Sequence, residues 1–160
     1  MTALSTSDVL DRHLNSFAKR DVAAILADYS SDAVLFTPTG PLRGPAAIKP
    51  LFEALVSEFA KPGSSFTMQH RSIEGDHGYI LWTADTADNS YEFATDTFVV
   101  RNGKIVAQSF AAKIKPKCRA TSANRVGSVL LMCNSAAIRV SVADGNASYS
   151  KVLLYIATQL

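Results

Sequence analysis

One carboxylate and three histidines are the side chains of this chain that could do chemistry. Asp96 lies in the run FATDTFVVRNGKIV, flanked by Phe93, Ala94, Phe98, Val99 and Val100. An acid in such company is costly to bury unless it is hydrogen-bonded or neutral. Burial would raise its pKa, so that a proton could stay on it near neutral pH. The competing reading is that strand alternation turns Asp96 out to solvent or to a cap at a strand edge. His13 shares a helical face with Val9, Leu10, Leu14 and Phe17. An imidazole there could give or take a proton near neutrality, or bond a backbone carbonyl and stay inert. His70 follows Phe66 and Met68 on a strand-like segment. It could pair with an acid inside the fold, but an outer-face position at a subunit interface is favoured. His77 falls in a turn, where water would solvate it.

No phosphate loop, nucleophile elbow, Cys/His pair or metal-ligand cluster is present, so no cofactor is expected. Cys118 and Cys133 lack metal-ligand spacing and read as free thiols in a reducing compartment. A chain of 160 residues that is 48% hydrophobic and 19% charged suits one ordinary folded domain. The net charge of +2 conceals an uneven split. Residues 1–116 carry 11 Lys/Arg and 13 Asp/Glu, whereas residues 117–160 carry 5 Lys/Arg and one acid, Asp144. The basic excess is scattered over the tail, so nucleic acid is not an expected partner. The opening MTALSTSDVL has no basic region followed by an apolar run, and no stretch approaches the ~20 apolar residues of a membrane span. A cytoplasmic location without membrane contact is therefore expected.

The elements that must position these residues begin with a helix over about Ser7–Lys19, capped by Ser5 or Ser7. A second helix runs over about Asp21–Tyr29, with Asp21 as N-cap and Val22, Ile25, Leu26 and Tyr29 on its apolar face. Ala33–Thr37 is a short strand stopped by Pro38. After a Gly/Pro loop, a third helix covers about Pro45–Phe59, with Pro at its first position and Pro50 as a local conflict. Alternation from Phe66 onward, a Gly75–Gly78 turn, strands over Tyr79–Asp85 and Tyr91–Val100, and an Asn102-Gly103 hairpin signal predict an antiparallel sheet. Helices on one side of that sheet make an α+β architecture. Beyond Pro116 the composition turns to Ser, Ala, Val and Asn, and Val126–Val142 could be helix or strand.

The order RDVAAILADYSSDAVLFTPTGPLRGPAAI followed by those strands resembles the α+β cone (α+β barrel) of the NTF2-like superfamily, and within it the SnoaL-like and ketosteroid-isomerase-like subgroup. The resemblance covers roughly Ser5–Ile114 and implies a deep pocket between the helices and a curved sheet. Residues 1–116 would form that domain, and residues 117–160 an extension outside the family pattern. The extension reads either as an appended structural element or as translated flanking DNA in a member carried on a mobile gene cassette.

The resemblance also carries roles onto positions. Asp96 matches the isomerase's oxyanion aspartic acid, and His13 stands where its oxyanion tyrosine would be. The supporting tyrosines correspond to Tyr29 and Phe52, and the general base to Thr37, which cannot shuttle protons at neutral pH. Steroid isomerisation by the known route is thereby disfavoured. Leu51, Phe52, Leu81, Thr83, Gln108 and Phe110 are implied to line the pocket. Trp82 would then face outward and favour a homodimer. The epoxide-hydrolase subgroup needs two aspartates bridged by an arginine, and Asp85 and Asp96 lack that bridge. Two functions stand side by side. One is a cofactor-independent isomerase, cyclase or dehydratase acting on a small hydrophobic molecule, with Asp96, His13 and His70 as its acid/base groups. The other is a non-catalytic binder of such a molecule.

Overall fold

A computed structural model describes residues 4–124, 128–133, 136–143 and 146–148. It divides into two compact units, Met1–Lys115 and Pro116–Leu160. The first opens with α1 (Thr6–Ala18) and α2 (Val22–Ala27). Ser5 caps α1 in a full capping box: its side chain accepts from the Asp8 N–H while Asp8 reaches back to the Ser5 N–H. Asp21 caps α2 by accepting from the Ala24 N–H. Next come β1 (Tyr29–Thr37), β2 (Gly40–Arg43) and α3 (Gly44–Phe59). The third helix runs on through Pro50, whose missing N–H leaves the Ala46 carbonyl without its usual donor. The unit closes with β3 (Ser65–Glu74), β4 (His77–Asp85), β5 (Asn89–Arg101) and β6 (Lys104–Pro116).

These six strands form one mixed sheet in the order β2-β1-β6-β5-β4-β3. All described pairings are antiparallel except that of β1 with β6, which is parallel and corrects the all-antiparallel expectation. Tyr29 is also reassigned: α2 ends earlier and Tyr29 opens β1. The Ile105 N–H bonds the Asp28 carbonyl at 2.8 Å, which draws the chain into the sheet at that point. The loop expected after Pro38 is an edge strand, β2. Asn102 and Gly103 both have positive φ, 51° and 71°, as the tight turn between β5 and β6 requires.

Helices and sheet meet over a core that includes Val9, Leu10, Ile25, Leu35, Ile48, Ile80, Phe98 and Ile105. Helix α1 lies so close to β4 that a Cβ on Gly78 would stand 2.6 Å from Leu10 Cδ2. Among the described residues, no helix is long and apolar enough to cross a membrane.

The second unit holds β7 (Cys118–Asn124), β8 (Ser128–Cys133), β9 (Ala136–Ala143) and β10 (Asn146–Ser148), an antiparallel sheet in the order β10-β9-β8-β7. Over its described part, the stretch left open between helix and strand is therefore strand. The free-thiol reading of Cys118 and Cys133 concerns side chains outside those described.

Candidate functional site

Asp96 lies in the middle of β5, and its inward orientation follows from a local irregularity. Ala94 pairs with Trp82 and Tyr91 with Ala84, so β5 carries one extra residue between them. Glu92 and Phe93 are exposed there, while Ala94, Asp96, Phe98 and Val100 all face the core. Asp96 is only 6% exposed. Both of its oxygens accept hydrogen bonds: Oδ2 from Trp82 Nε1–H at 2.9 Å and Oδ1 from Gln108 Nε2–H at 2.8 Å. The Tyr29 hydroxyl in turn donates to Gln108 Oε1. Since β1, β6, β5 and β4 are neighbours, Tyr29, Gln108, Asp96 and Trp82 form a polar chain across four adjacent strands.

Burial pushes the Asp96 carboxyl above the usual aspartate range. The bonds from Trp82 and Gln108 and the nearby His13 draw it only part of the way back. Burial, with the charges of Asp96 and Asp28, lifts the Tyr29 hydroxyl well above its ordinary value, so it remains a neutral donor.

His13 is buried on the inner face of α1, with the edges or faces of Tyr29, Phe52 and Phe98 at centroid distances of 5.5, 5.6 and 5.7 Å. Its Nδ1 stands 3.4 Å from Asp28 Oδ2. Neither atom completes a hydrogen bond. Asp28 is 1% exposed, and its other oxygen takes the Arg12 Nε–H at 2.5 Å. With Nδ1 turned to Asp28, the opposite edge of the imidazole is the one left for the cavity that His13 lines.

That cavity measures about 60 Å³. Helix α1 contributes His13, Leu14 and Phe17 to it, and α3 contributes Leu51, Phe52, Leu55 and Phe59. The sheet supplies Asp96, Gln108, Trp82, Phe110 and further apolar side chains. Of the expected site residues, Asp96, His13, Leu51, Phe52, Gln108 and Phe110 thus converge, and Tyr29 joins them through Gln108.

Four others do not. Leu81 and Thr83 lie on the opposite face of β4, because Ile80, Trp82 and Ala84 are the buried set. A one-residue error in register exchanges the two faces of a strand. The outward Trp82 is corrected with them: it is buried and holds Asp96. Thr37 ends β1 at the turn into β2 and donates to the Gly40 carbonyl at 2.8 Å. His70 is exposed beside Tyr79, and the cause is a bulge at Gln69. Met68 pairs with Trp82 but His70 pairs with Leu81, so the alternation begun at Phe66 slips by one.

Sequence reasoning missed Trp82 and Asp28. For Trp82 a signal existed, since Ile80, Trp82 and Ala84 are more uniformly apolar than Leu81, Thr83 and Asp85. Asp28 gave none, because its partners Arg12 and His13 lie on another helix. Among the described residues, no three metal-ligating side chains come together.

This geometry can be set beside known proteins. No curated protein matches the chain. An NTF2-like protein of unknown function from Mesorhizobium loti is 24% identical, with a TM-score of 0.58 over 68% of this chain and 90% of that one. SalBIII, an epoxide hydrolase/cyclase-like enzyme with a role in pyran ring formation in the polyether salinomycin, is 16% identical, with a TM-score of 0.59 over 70% of this chain and 95% of that one. A de novo designed protein with a curved β-sheet is 14% identical, with a TM-score of 0.58 over 71% of this chain and 88% of that one. At these identities the likeness is one of fold, and a designed scaffold among the matches illustrates that fold alone assigns no activity. The model of the SnoaL-like domain matches residues 10–108, a span that runs from the buried face of α1 to Gln108 on β6. The chain therefore belongs to the SnoaL-like domain family, within the NTF2-like fold.

Proposed function

We propose that this protein is a cofactor-independent enzyme that moves a proton on a small hydrophobic molecule, in an isomerisation, cyclisation or dehydration. The observation that carries the reading is Asp96: a buried acid, raised in pKa by desolvation, on the wall of an apolar cavity shared with His13.

In the arrangement described, both neighbours donate to Asp96, which is the pattern of an ionised carboxylate. Asp96 is thus set up as a base whose raised pKa brings it closer to the working pH. Trp82 can only donate, so a proton accepted by Asp96 belongs on Oδ1, facing Gln108. Rotation of the Gln108 amide would then present its carbonyl to that proton and its NH₂ to Tyr29. His13, with Asp28 behind its Nδ1, supplies the second proton-carrying group. Asp28 and Arg12 act on the reaction only through His13 and are positioning residues. The chemistry of SalBIII, an epoxide hydrolase/cyclase-like enzyme on the same fold, is compatible with this class of reaction.

Non-catalytic binding is the second reading, and one observation favours it. A cavity of about 60 Å³ is narrower than the roughly 300–1,000 Å³ typical of ligand pockets. A homodimer, cytoplasmic residence and the separate character of residues 117–160 also belong to the proposal. With Trp82 turned inward, the homodimer is now supported by the exposed Phe36 and Phe93, which light scattering would test.

The deciding experiment follows deuterium exchange at the carbon next to the carbonyl in a panel of apolar ketones by NMR. Wild-type protein should accelerate exchange in at least one member, and Asp96→Asn should slow it by about 10²–10⁴-fold without loss of binding. Exchange that survives Asp96→Asn, or binding with no exchange across the panel, overturns the enzymatic reading.

A further inference from the structure

Outside the inner cavity lies a second, larger cleft of about 290 Å³, between the C-terminal end of α1 and the start of β3. The two share Leu14, Phe17, Phe59 and Phe66, so the cleft and the cavity adjoin across these side chains. Phe66, one of the four shared residues, is 44% exposed, a large ring presented to whatever occupies the cleft.

Of the ten side chains lining the cleft, Arg20 alone is charged. Asn15, Ser64 and Ser65 add neutral polar groups to the lining. Arg20 has φ 62°, a left-handed conformation that L side chains resist. It occupies the residue after the α1 C-cap. There its N–H bonds the Phe17 carbonyl at 2.9 Å, and the Asp21 N–H bonds the Ser16 carbonyl at 3.0 Å. This is the Schellman pattern, whose left-handed position is usually glycine. The strain is not offset by an ion pair: the adjacent Asp21 carboxylate caps α2 through Oδ1 and makes no ion pair with Arg20. Among the described residues, no acid lies within salt-bridge distance of the Arg20 guanidinium. A strained backbone position that keeps a long cation where glycine would fit points to a use for the cation.

We infer that the molecule served by this site is an amphiphile, with an apolar body reaching the inner cavity and an anionic group, a carboxylate or its equivalent, held by Arg20 at the cleft. The inference rests on the reading of the inner cavity as a ligand site, and it removes the difficulty of that cavity's size. Only the reacting end needs to pass Leu14, Phe17, Phe59 and Phe66, while the bulk and the charge stay in the cleft.

Fluorescence titration of the full chain at low ionic strength tests this with two probes of similar shape: anionic anilinonaphthalenesulfonate and uncharged phenylnaphthylamine. Arg20→Gly suits the left-handed backbone, so the variant should fold and melt no lower than wild type. It should weaken sulfonate binding by about three- to tenfold and leave the amine unchanged, whereas Arg20→Lys should retain most of the sulfonate affinity. Added salt should erase the difference between the probes. Equal losses for both probes in Arg20→Gly, or no loss for either, would overturn the assignment of Arg20 while leaving the cavity a ligand site. A wild-type protein that binds neither probe would remove the cavity reading as well.

Discussion

Replacing Trp82 by Phe removes the indole N–H that donates to Asp96 Oδ2 at 2.9 Å, and keeps a smaller aromatic ring in the core. The ring contacts at stake are those with Phe66, Tyr91, Phe110 and Phe59, at centroid distances of 5.3, 5.5, 6.3 and 6.4 Å. Their partial loss costs stability equally at every pH. The hydrogen bond does not. To an ionised acceptor such a bond contributes about 1.5–3 kcal/mol, and to a neutral one about 0.5–1.5 kcal/mol.

Burial holds the Asp96 pKa above its unfolded value, so the stability linked to protonating this group is present in full below the unfolded pKa. The fold loses that stability as pH rises through the folded pKa. Without the indole donor the carboxylate is less well held, its pKa climbs further, and the loss grows. The destabilisation of Trp82→Phe should therefore be larger above the Asp96 titration than below it, by about 1 kcal/mol or more. Urea unfolding followed by circular dichroism reads this, since the variant lacks the protein's single tryptophan. The Asp96 carboxyl carbon, followed by NMR, should titrate at higher pH in the variant. A destabilisation that stays the same across the Asp96 titration would refute the argument that Asp96 is held as a carboxylate by this donor.

Two further substitutions probe the frame of the site. Gly78→Ala should cost about 1–3 kcal/mol in denaturant unfolding, because its Cβ would stand 2.6 Å from Leu10 Cδ2 in a packed helix–sheet contact. Tyr29→Phe removes the donor to Gln108 Oε1 in the buried chain of polar groups. It should cost about 1–3 kcal/mol in thermal unfolding and, by freeing the Gln108 amide to turn, shift the Asp96 titration. An unchanged melting temperature would show that another donor takes over.

Much of this molecule was legible in its residues. Ser5, Asp21 and Pro45 set helix starts, Asn102-Gly103 set a hairpin, and spacing put His13 on the inner face of α1, because each of these depends on neighbours within a few positions. The acid among apolar residues at Asp96 was legible for the same reason: its sequence neighbours predicted burial and the direction of its pKa. Alternation failed wherever a bulge intervened. One at Gln69 turned His70 to solvent, and another in β5 exposed both Glu92 and Phe93 while keeping Asp96 inside. A bulge depends on how two strands pair, and pairing is a property of both strands.

The sequence by itself therefore determined the helices, the strand segments and a buried aspartate as the centre of interest. Only the tertiary structure decided the partners of that aspartate. Tyr29, Trp82 and Gln108 reach Asp96 because β1, β6, β5 and β4 lie side by side, and Asp28 reaches His13 because α2 ends beneath α1. Those contacts join residues 12 to 79 positions apart, and no local preference encodes a meeting at that range. It is fixed by the one sheet order and helix placement that bury the apolar faces together.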